Sequence, residues 1–360
     1  VIEGLPAGDY ILREITAPEG YTVAEDVRFT IQANLSVAQP AETIVMENAP
    51  TEINVSKLDI TNSQEIEGAF LQILNAATGE VAVTIYGETL SWVSNGIPKN
   101  IKGLPAGEYI LRETAAPNGY AIANEIAFTI TDELKTAETV TMEDAPTEVV
   151  ISKTDITTGE ELPGATLQVL NEQGTEIVTT IYGERLEWVS GEEPKVIQGL
   201  PEGNYILREI TAPNGYTIAE DVTFTITDDG TVETRVTMEN KPTEVNISKV
   251  DITTADQELP GATLQVLDEF GNEVITTIYG ERLEWVSGDT PKVITGLPAG
   301  TYILREITAP AGYTVAEDVR FTITDELKAA ETVVMENKAT EVIVSKTDIT
   351  TGEELPGAEL

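Results

Sequence analysis

The sequence contains no cysteine and no histidine. The absence of cysteine excludes disulfides, thiolate metal sites, cysteine nucleophiles and thioester chemistry. The absence of histidine removes the commonest general base and the commonest metal ligand. Most familiar active sites are therefore excluded, and no metal or other cofactor is expected.

Basic residues are also scarce, because the chain carries 21 lysines and arginines against 62 aspartates and glutamates, a net charge of -41. The acidic residues are spread over the whole length, so the surface should repel nucleic acid and anionic lipid and keep an elongated protein soluble. Long apolar runs are missing as well, since none approaches the roughly 20 residues of a membrane span. We expect neither nucleic-acid binding nor membrane insertion.

The most prominent feature that is present is an internal repeat. Its markers are a lysine in ISK or VSK, a glutamate in LRE, and an Asn or Asp that ends MEN or MED. The marker positions are Lys57, Lys153, Lys249 and Lys346; Glu14, Glu113, Glu209 and Glu306; and Asn48, Asp144, Asn240 and Asn337. The lysines are spaced 96, 96 and 97 residues apart, so the repeat is one module of domain size.

The repeat predicts three complete modules, at residues 51–146, 147–242 and 243–339, flanked by the back part of a module at 1–50 and the front of another at 340–360. The chain thus starts and stops in mid-module, and we expect it to be a piece of a longer protein. The boundaries fall at Ala49-Pro50-Thr51, Ala145-Pro146-Thr147 and Lys241-Pro242-Thr243. A proline in so short a connection stiffens it, so the array should be a rod.

Within a module, short segments rich in Val, Ile, Thr and Tyr alternate with turn signals such as Asn214-Gly215 and Pro201-Glu202-Gly203. This spacing is typical of β-hairpins and predicts a β-sandwich or a partly open barrel. No segment shows a helical apolar period with caps, apart from a short turn at 132–137. The predicted fold class is all-β.

Alternation along the strands places one residue of each marker on the inward face. Val149, Ile151 and Lys153 share a face of the first strand. Tyr205, Leu207 and Glu209 share a face of a middle strand, and Val236, Met238 and Asn240 share a face of the last strand. Each module is therefore expected to aim a Lys, a Glu and an Asn or Asp at its core.

A buried ion pair stabilises a protein poorly, because desolvation costs several kcal/mol per ion. A buried amine tends to lose its proton, and a buried carboxyl tends to keep one. A neutral lysine beside such a carboxyl can attack the Asn side chain, with the glutamate polarising the amide and passing protons to the leaving ammonia. The product would be a Lys–Asn isopeptide bond, formed once per module without turnover; the alternative is a hydrogen-bonded ionic cluster.

The strings ISKTDITTGEELPGATLQVL, GLPEGNYILREITAPNGY and VTMENKPTEV resemble the Cna B-type, or SpaA-like, modules of Gram-positive surface adhesins and pilins, and YILREITAPNGY looks like their E-box. The resemblance covers essentially the whole chain. It implies a tandem array of Ig-like, prealbumin-like β-sandwich modules. It also implies an extracellular protein attached to the cell wall.

The resemblance further implies a self-forming isopeptide bond in each module. The implied nucleophiles are Lys57, Lys153 and Lys249, the assisting acids are Glu113, Glu209 and Glu306, and the acceptors are Asp144, Asn240 and Asn337. Asp144 departs from Asn and would react with loss of water. The truncated modules carry Glu14 and Asn48 at one end and Lys346 at the other, whose partners would lie outside the chain.

Four weaker signals have structural alternatives. The aromatic residues of each module either form a sugar-stacking platform or, as we expect, pack in the core. They are Trp92, Trp188 and Trp285, with Tyr86, Tyr182 and Tyr279.

Pro98-Lys99-Asn100 faintly resembles a pilin motif whose lysine a sortase uses. This position, shared by Lys195 and Lys292, is predicted to be a solvated loop. The Leu-Pro strings at 162–166 and 200–204 lack the LPxTG order and read as turns. Asp228-Asp229-Gly230 lacks the ligand spacing of a calcium loop and reads as a hairpin turn.

The leading functional hypothesis is a stalk or spacer of a Gram-positive adhesin or pilus-like fibre, locked module by module through its isopeptide bonds. Its partners would be the neighbouring modules and, through a head outside this fragment, a host ligand. The alternative is that the modules themselves bind host matrix protein or glycan, for which the longer loop at 32–39 is the candidate. An enzyme acting on other molecules is not expected, because no nucleophile and base lie outside the buried triad.

Overall fold

The computed structural model describes residues 1–33, 43–133, 137–227, 230–231, 235–254, 257–326 and 330–359. Every regular element in these ranges is a β-strand, as the alternating pattern predicted. The predicted turn at 132–137 lies partly outside the described residues. No helix long and apolar enough to cross a bilayer occurs in the described ranges.

The described part of each complete module contains seven strands. Residues 51–146 form β3 (Glu52–Asp59), β4 (Glu67–Asn75), β5 (Ser91–Asn95), β6 (Lys99–Lys102), β7 (Gly107–Ala115), β8 (Ile126–Ile130) and β9 (Glu138–Asp144). Residues 147–242 form β10 (Glu148–Asp155), β11 (Thr166–Asn171), β12 (Glu187–Val189), β13 (Lys195–Gln198), β14 (Gly203–Thr211), β15 (Val222–Ile226) and β16 (Val236–Asn240). Residues 243–339 form β17 (Glu244–Asp251), β18 (Thr263–Leu267), β19 (Glu284–Val286), β20 (Lys292–Thr295), β21 (Gly300–Thr308), β22 (Val319–Ile323) and β23 (Glu331–Asn337). In the first fifty residues β1 (Gly8–Leu12) pairs with β2 (Val27–Ile31).

Each module is a sandwich of a three-stranded and a four-stranded sheet. In residues 147–242 the orders are β13-β10-β16 and β12-β11-β14-β15, and the other two complete modules repeat them. The first and last strands, β10 and β16, are parallel neighbours, with Lys153 opposite Met238 and Asp155 opposite Asn240. The remaining pairs are antiparallel. The two ends of the module's chain are therefore side by side in one sheet.

The core lies between the two sheets and follows the predicted alternation. In residues 147–242 it includes Val149, Ile151, Leu207 and Met238, all at most 2% exposed. On the middle strand the ring of Tyr205 stacks on Phe224, and its hydroxyl donates to the carbonyl of Pro201 at 2.7 Å. This anchor ties the start of β14 to the preceding turn.

Truncating a core residue should lower the stability of one module only. Leu207 is fully buried, so Leu207→Ala should lower the free energy of unfolding of residues 147–242 by about 2–5 kcal/mol. Val196, on the same module and 48% exposed, supplies the control Val196→Ala, for which little change is expected. Hydrogen–deuterium exchange resolved by peptide measures both, with residues 51–146 as the internal reference. Equal effects of the two substitutions would contradict the assigned core.

Candidate cross-linking site

A Lys, a Glu and an Asn or Asp meet inside every complete module. In residues 147–242 these are Lys153, Glu209 and Asn240, with exposed fractions of 2%, 4% and 0%. They come from the first strand of one sheet, a middle strand of the other sheet and the last strand. The phases predicted from alternation are therefore those found in the structure.

The lysine is held by its backbone as well as by its side-chain contacts. β13 pairs with β10 only as far as Ile151, so the backbone N–H of Lys153 is left without a strand partner on that side. Glu161 accepts a hydrogen bond from this N–H at 3.1 Å. Glu65 and Glu258 do the same for Lys57 and Lys249.

Sequence reasoning missed these three positioning glutamates. Their signal is visible, since each stands directly before the turn that opens the second strand, in EIEG, ELPG and ELPG.

The glutamate is aimed by a β-bulge. Along β14, Glu209 lies opposite Leu167 and Thr211 opposite Thr166, so that Ile210 is an extra residue in the ladder. A bulge bends its strand and redirects the side chains next to it. The Glu209 carboxylate also accepts a hydrogen bond from the backbone N–H of Ala219 at 2.6 Å, which fixes its position.

The side-chain amide nitrogen of the acceptor Asn240 contacts the carboxylate of Glu209. Asn240 Nδ2 donates to Glu209 Oε2 at 2.9 Å and Oε1 at 3.1 Å, and to the carbonyl of Thr217 at 2.7 Å. Lys153 Nζ lies 3.5 Å from Glu209 Oε1 and 3.5 Å from the carbonyl of Met238. The glutamate thus contacts both the amine and the amide nitrogen.

The third complete module repeats this geometry closely. Lys249 Nζ lies 3.6 Å from Glu306 Oε1, and Asn337 Nδ2 donates to Glu306 Oε2 at 2.9 Å and to the carbonyl of Thr314 at 2.7 Å. The backbone N–H of Ala316 donates to Glu306 at 2.6 Å.

In residues 51–146 an aspartate replaces the asparagine. Lys57 Nζ contacts Asp144 Oδ1 directly and lies 3.2 Å from Glu113 Oε1. Glu113 keeps its backbone anchor, a hydrogen bond of 2.7 Å from the N–H of Ala123. The amine is therefore closer to its acceptor here than to the glutamate.

Burial shifts the ionisation of two of the lysines and of the aspartate in these sites toward their neutral forms. Desolvation lowers the pKa of Lys153 and of Lys249 below the usual 10.5, although Glu209 and Glu306 act in the opposite direction. Desolvation raises the pKa of Asp144 to about 7, helped by Glu113 and opposed by Lys57. A neutral amine and a protonated carboxyl are the forms that an amide-forming reaction requires.

Unpaired buried polar atoms concentrate in these triads. In the described part of the chain, five buried side-chain oxygens accept no hydrogen bond, and all five belong to the triads. They are Glu113 Oε1, Asp144 Oδ2, Asn240 Oδ1, Glu306 Oε1 and Asn337 Oδ1. Two of them, Glu113 Oε1 and Glu306 Oε1, have only an ion-pair contact with the lysine of their triad. Buried polar groups are nearly always paired in folded proteins, so the exceptions mark these three places as sites.

Residues 1–50 and 340–360 each carry part of the constellation. Asn48 Nδ2 donates to Glu14 at 2.6 Å and to the carbonyl of Thr22 at 2.9 Å, as its counterparts do. Lys346 is exposed. Neither end brings all three groups together.

The aromatic residues divide into two groups. Trp92, Trp188 and Trp285 pack against the three cores, as expected. Tyr86, Tyr182 and Tyr279 are 45% to 62% exposed and contact residues of the preceding module, so the expectation of core packing was wrong for the tyrosines. Alternation cannot reveal a surface that a neighbouring module covers.

The lysine of the sortase-like string was also placed wrongly in a loop. Lys99, Lys195 and Lys292 each begin a short strand, because their backbones pair with the first strand of the module. Their amines pair with Glu88, Glu184 and Glu281 at 2.6 to 2.7 Å.

The remaining weak signals concern loops. The Leu-Pro strings at 162–166 and 200–204 lead into β11 and β14. The described residues contain no group of three acidic side chains arranged to hold a metal, and Asp228-Asp229 lies outside them. The candidate ligand-binding loop at 32–39 lies outside the described residues from position 34 onward.

Fold and site together define a class of protein: tandem seven-stranded sandwiches with parallel terminal strands and a buried Lys-Glu-Asn/Asp triad in each. The family model described as the SpaA prealbumin-like fold domain matches residues 1–45, 51–146, 147–242 and 243–339. The chain belongs to this family. No relative was found among curated proteins.

Similar solved structures include three Gram-positive proteins. The Bacillus anthracis TIE protein is 22% identical, with a TM-score of 0.43 over 87% of this chain, which spans 54% of that protein. A streptococcal ancillary pilin is 18% identical, with a TM-score of 0.35 over 81% of this chain and 99% of the pilin. BcpA, the major pilin subunit of Bacillus cereus, is 14% identical, with a TM-score of 0.37 over 81% and 99%.

The raised pKa of Asp144 predicts an unusual pH dependence when Lys57 is removed. Lys57→Met deletes the one group that lowers this pKa, so it rises further. The folded module then keeps a proton that the unfolded chain releases near pH ~3.9. Because the folded state binds more protons above that pH, the stability of residues 51–146 should fall as pH rises through the neutral range. Urea unfolding between acidic and neutral pH, followed by peptide-resolved exchange, measures it.

The matched control carries Lys57→Met together with Asp144→Asn. It keeps the shape of the site and every other titrating group, but not the carboxyl. The stability of this double variant should not fall as pH rises through the neutral range. The same dependence of stability on pH in both variants would show that Asp144 is not the group responsible.

Proposed function

We propose that this chain is part of the stalk or spacer of a Gram-positive surface adhesin or pilus-like fibre, and that its modules are locked by self-formed isopeptide bonds. The observation that carries the proposal is the burial of three chemically complementary groups in each complete module, where at least one buried oxygen of the acceptor side chain accepts no hydrogen bond. The proposed bonds are Lys57–Asp144, Lys153–Asn240 and Lys249–Asn337.

In the Asn modules the reaction exchanges one amine for another. The neutral amine of Lys153 attacks Cγ of Asn240, the new C–N bond forms, and the bond from Cγ to Nδ2 breaks. Glu209 contacts both nitrogens, so it can accept the proton that Lys153 loses and deliver it to Nδ2. The departing nitrogen leaves as ammonia, and Glu209 ends in its starting state.

In residues 51–146 the acceptor is a carboxylic acid. The neutral amine of Lys57 attacks Cγ of protonated Asp144, so that a C–N bond forms and the bond from Cγ to the hydroxyl oxygen breaks. Glu113 relays the proton that the amine loses to that hydroxyl, which leaves as water. The pKa of about 7 for Asp144 keeps a substantial protonated fraction at neutral pH. Direct contact between Lys57 Nζ and the carboxyl favours the attack.

The competing interpretation, a purely ionic cluster, fits this geometry less well. A buried ion pair contributes stability only when its remaining hydrogen-bonding capacity is satisfied. Here Lys153 and Lys249 lie 3.5 and 3.6 Å from their glutamates, and the acceptor carbonyls of Asn240 and Asn337 have no donor. Such a cluster would be costly to keep, whereas amide formation removes the amine's charge.

The placement of the bond suits a protein under tension. Force along the chain enters a module through its first strand and leaves through its last, and these strands are parallel neighbours. A bond from Lys153 to Asn240 carries the load from one strand directly to the other and bypasses the strands between them. Unfolding then cannot separate the terminal strands, which raises kinetic stability.

The remaining parts of the proposal rest on family membership. Two of the similar structures are described as pilins, which supports a cell-surface, wall-attached location. The module bounds 1–50, 51–146, 147–242, 243–339 and 340–360 are proposed from the repeat; the family model's first matched range ends at residue 45, and its last ends at residue 339. We propose that a head domain binds any host ligand and that the modules' only reaction is their own cross-linking.

Intact-mass spectrometry of the purified chain tests the bonds. Its mass should be below the sequence value by two molecules of ammonia and one of water, one loss for each complete module. Asp144→Asn should exchange the lost water for a third ammonia, which assigns that loss to one site. A mass equal to the sequence value would refute the proposed chemistry.

The role of Glu209 is tested separately. Glu209→Ala removes the proton relay, so one ammonia should be retained, and the peptide containing Lys153 should no longer be joined to that containing Asn240 after digestion. Glu202→Ala, at an exposed glutamate before the same strand, is the matched control and should lose the full complement. If Glu209→Ala still lost all three molecules, the relay would have to be assigned to another group.

A further inference from the structure

Successive modules meet through side chains as well as through the short connection between them. Ile181 and Tyr182, the docking turn of residues 147–242, lie against Asp59, Gly119 and Tyr120 of the preceding module. We call these three residues the receiving site. The arrangement recurs at the next joint, where Ile278 and Tyr279 meet Asp155, Gly215 and Tyr216.

The polar half of the joint is a carboxylate shared by two tyrosines. Asp59 Oδ2 accepts hydrogen bonds of 2.9 Å from Tyr120 of its own module and 2.9 Å from Tyr182 of the following one. At the next joint Asp155 Oδ2 accepts from Tyr216 at 2.7 Å and Tyr279 at 3.3 Å. Hydrogen bonds to charged groups are among the stronger ones in proteins.

The apolar half of the joint depends on a glycine. Gly119 has a φ of +83°, and a Cβ atom there would lie 2.6 Å from Cγ2 of Ile181 and 3.2 Å from the carbonyl of Gly199. Gly20 and Gly215 make the same close approach to Ile85 and Ile278. The β-branched isoleucine is stiff at χ1, so the two surfaces fit only without a side chain at the glycine.

Backbone hydrogen bonds cross the joint in an unbroken series. Thr147 N donates to Gly119 O, Gly199 N donates to Thr147 O, and Ile181 N donates to Gly199 O, each at 2.9 Å. Thr147 Oγ1 also donates to the carbonyl of Leu200 at 2.6 Å. The connection between modules is thereby tied to both of them.

The last complete module shows the receiving site without a docking turn. Gly312, with a φ of +91°, has no atom within 4 Å of a built Cβ, and Asp251 binds Tyr313 at 2.7 Å. Asp251 is half-buried and Thr340 exposed, whereas Asp59 and Thr147 are 1% and 2% exposed. The following module therefore supplies the burial at an occupied site.

We propose that each joint is a specific docking site for the Ile-Tyr turn of the next module and holds adjacent modules in one fixed orientation. Without such contacts, relative motion of neighbouring domains is the ordinary expectation. Docking would give the proposed spacer a fixed shape, and only this purpose rests on the proposed function. The docking itself requires no covalent bond. The competing explanation is that the short proline connection alone sets the orientation.

Pairs of spin labels test the proposal on the full chain. Because the sequence has no cysteine, Glu80→Cys with Glu176→Cys labels the same exposed turn in adjacent modules, and Glu176→Cys with Glu273→Cys spans the next joint. Pulsed electron–electron double resonance should give a narrow distribution of the distance between the two spin labels for each pair. Adding Gly119→Ala should shift the mean distance of the first pair or broaden its distribution severalfold. The distance distribution of the second pair should stay unchanged.

Gly312→Ala is the matched control, since it carries the same left-handed backbone strain with no docking turn to displace. It should leave both distributions as they are. Ile181→Ala approaches the joint from the other side at a residue that is 37% exposed, so it perturbs the joint without emptying a core. It should broaden the first pair alone.

If Gly119→Ala and Ile181→Ala both kept the parental distributions, or if the parent itself were broad, the connection and not the docking site would govern orientation. The intact mass of each labelled protein is recorded in parallel. Normal ammonia and water losses with an unchanged distribution would overturn only the joint, whereas absent losses with the expected broadening would overturn only the cross-links.

Discussion

The ε-amino group of Lys153 lies in a space closed to solvent, 3.5 Å from the Glu209 carboxylate, and the free energy of desolvating that amine has to be offset by the rest of the module. A lone buried charge costs several kcal/mol. Burial instead lowers the pKa of the amine and so increases the fraction present in the neutral, nucleophilic form. The bulge at Ile210 and the anchor at Ala219 hold the glutamate where it serves both nitrogens.

Alternation of side chains was sufficient to predict the all-β fold and the inward direction of Lys153, Glu209 and Asn240. When one face of a strand packs on the core, a shift of the strand by one residue would turn all its apolar side chains to the other face. The positioning role of Glu161 could not be predicted in this way. It depends on where pairing between two strands stops, which is a property of the sheet and not of one strand. The repeated Glu before each opening turn was the available sign.

The tyrosines beside the tryptophans show a second limit. Tyr182 and Trp188 occur in the same aromatic segment, yet the tryptophan packs on its own core and the tyrosine on the preceding module. Periodicity within a module assigns a residue to a face, but it does not say whether the covering surface comes from the same module. Contacts of that kind link residues more than a whole repeat apart, as Asp59 and Tyr182 are.

The triad and the joint act on the same short lengths of chain. Asp59 follows Lys57 by two residues on β3, and the connection at Thr147 follows Asp144 almost directly. Given the proposed bonds, tension would pass from Asp144 to Lys153 through backbone that also carries the hydrogen bonds of the joint. Covalent bonds would then protect the interior of each module, leaving the joint as the part that yields first. A contact that re-forms readily is best placed there, since it can open under load without exposing a core.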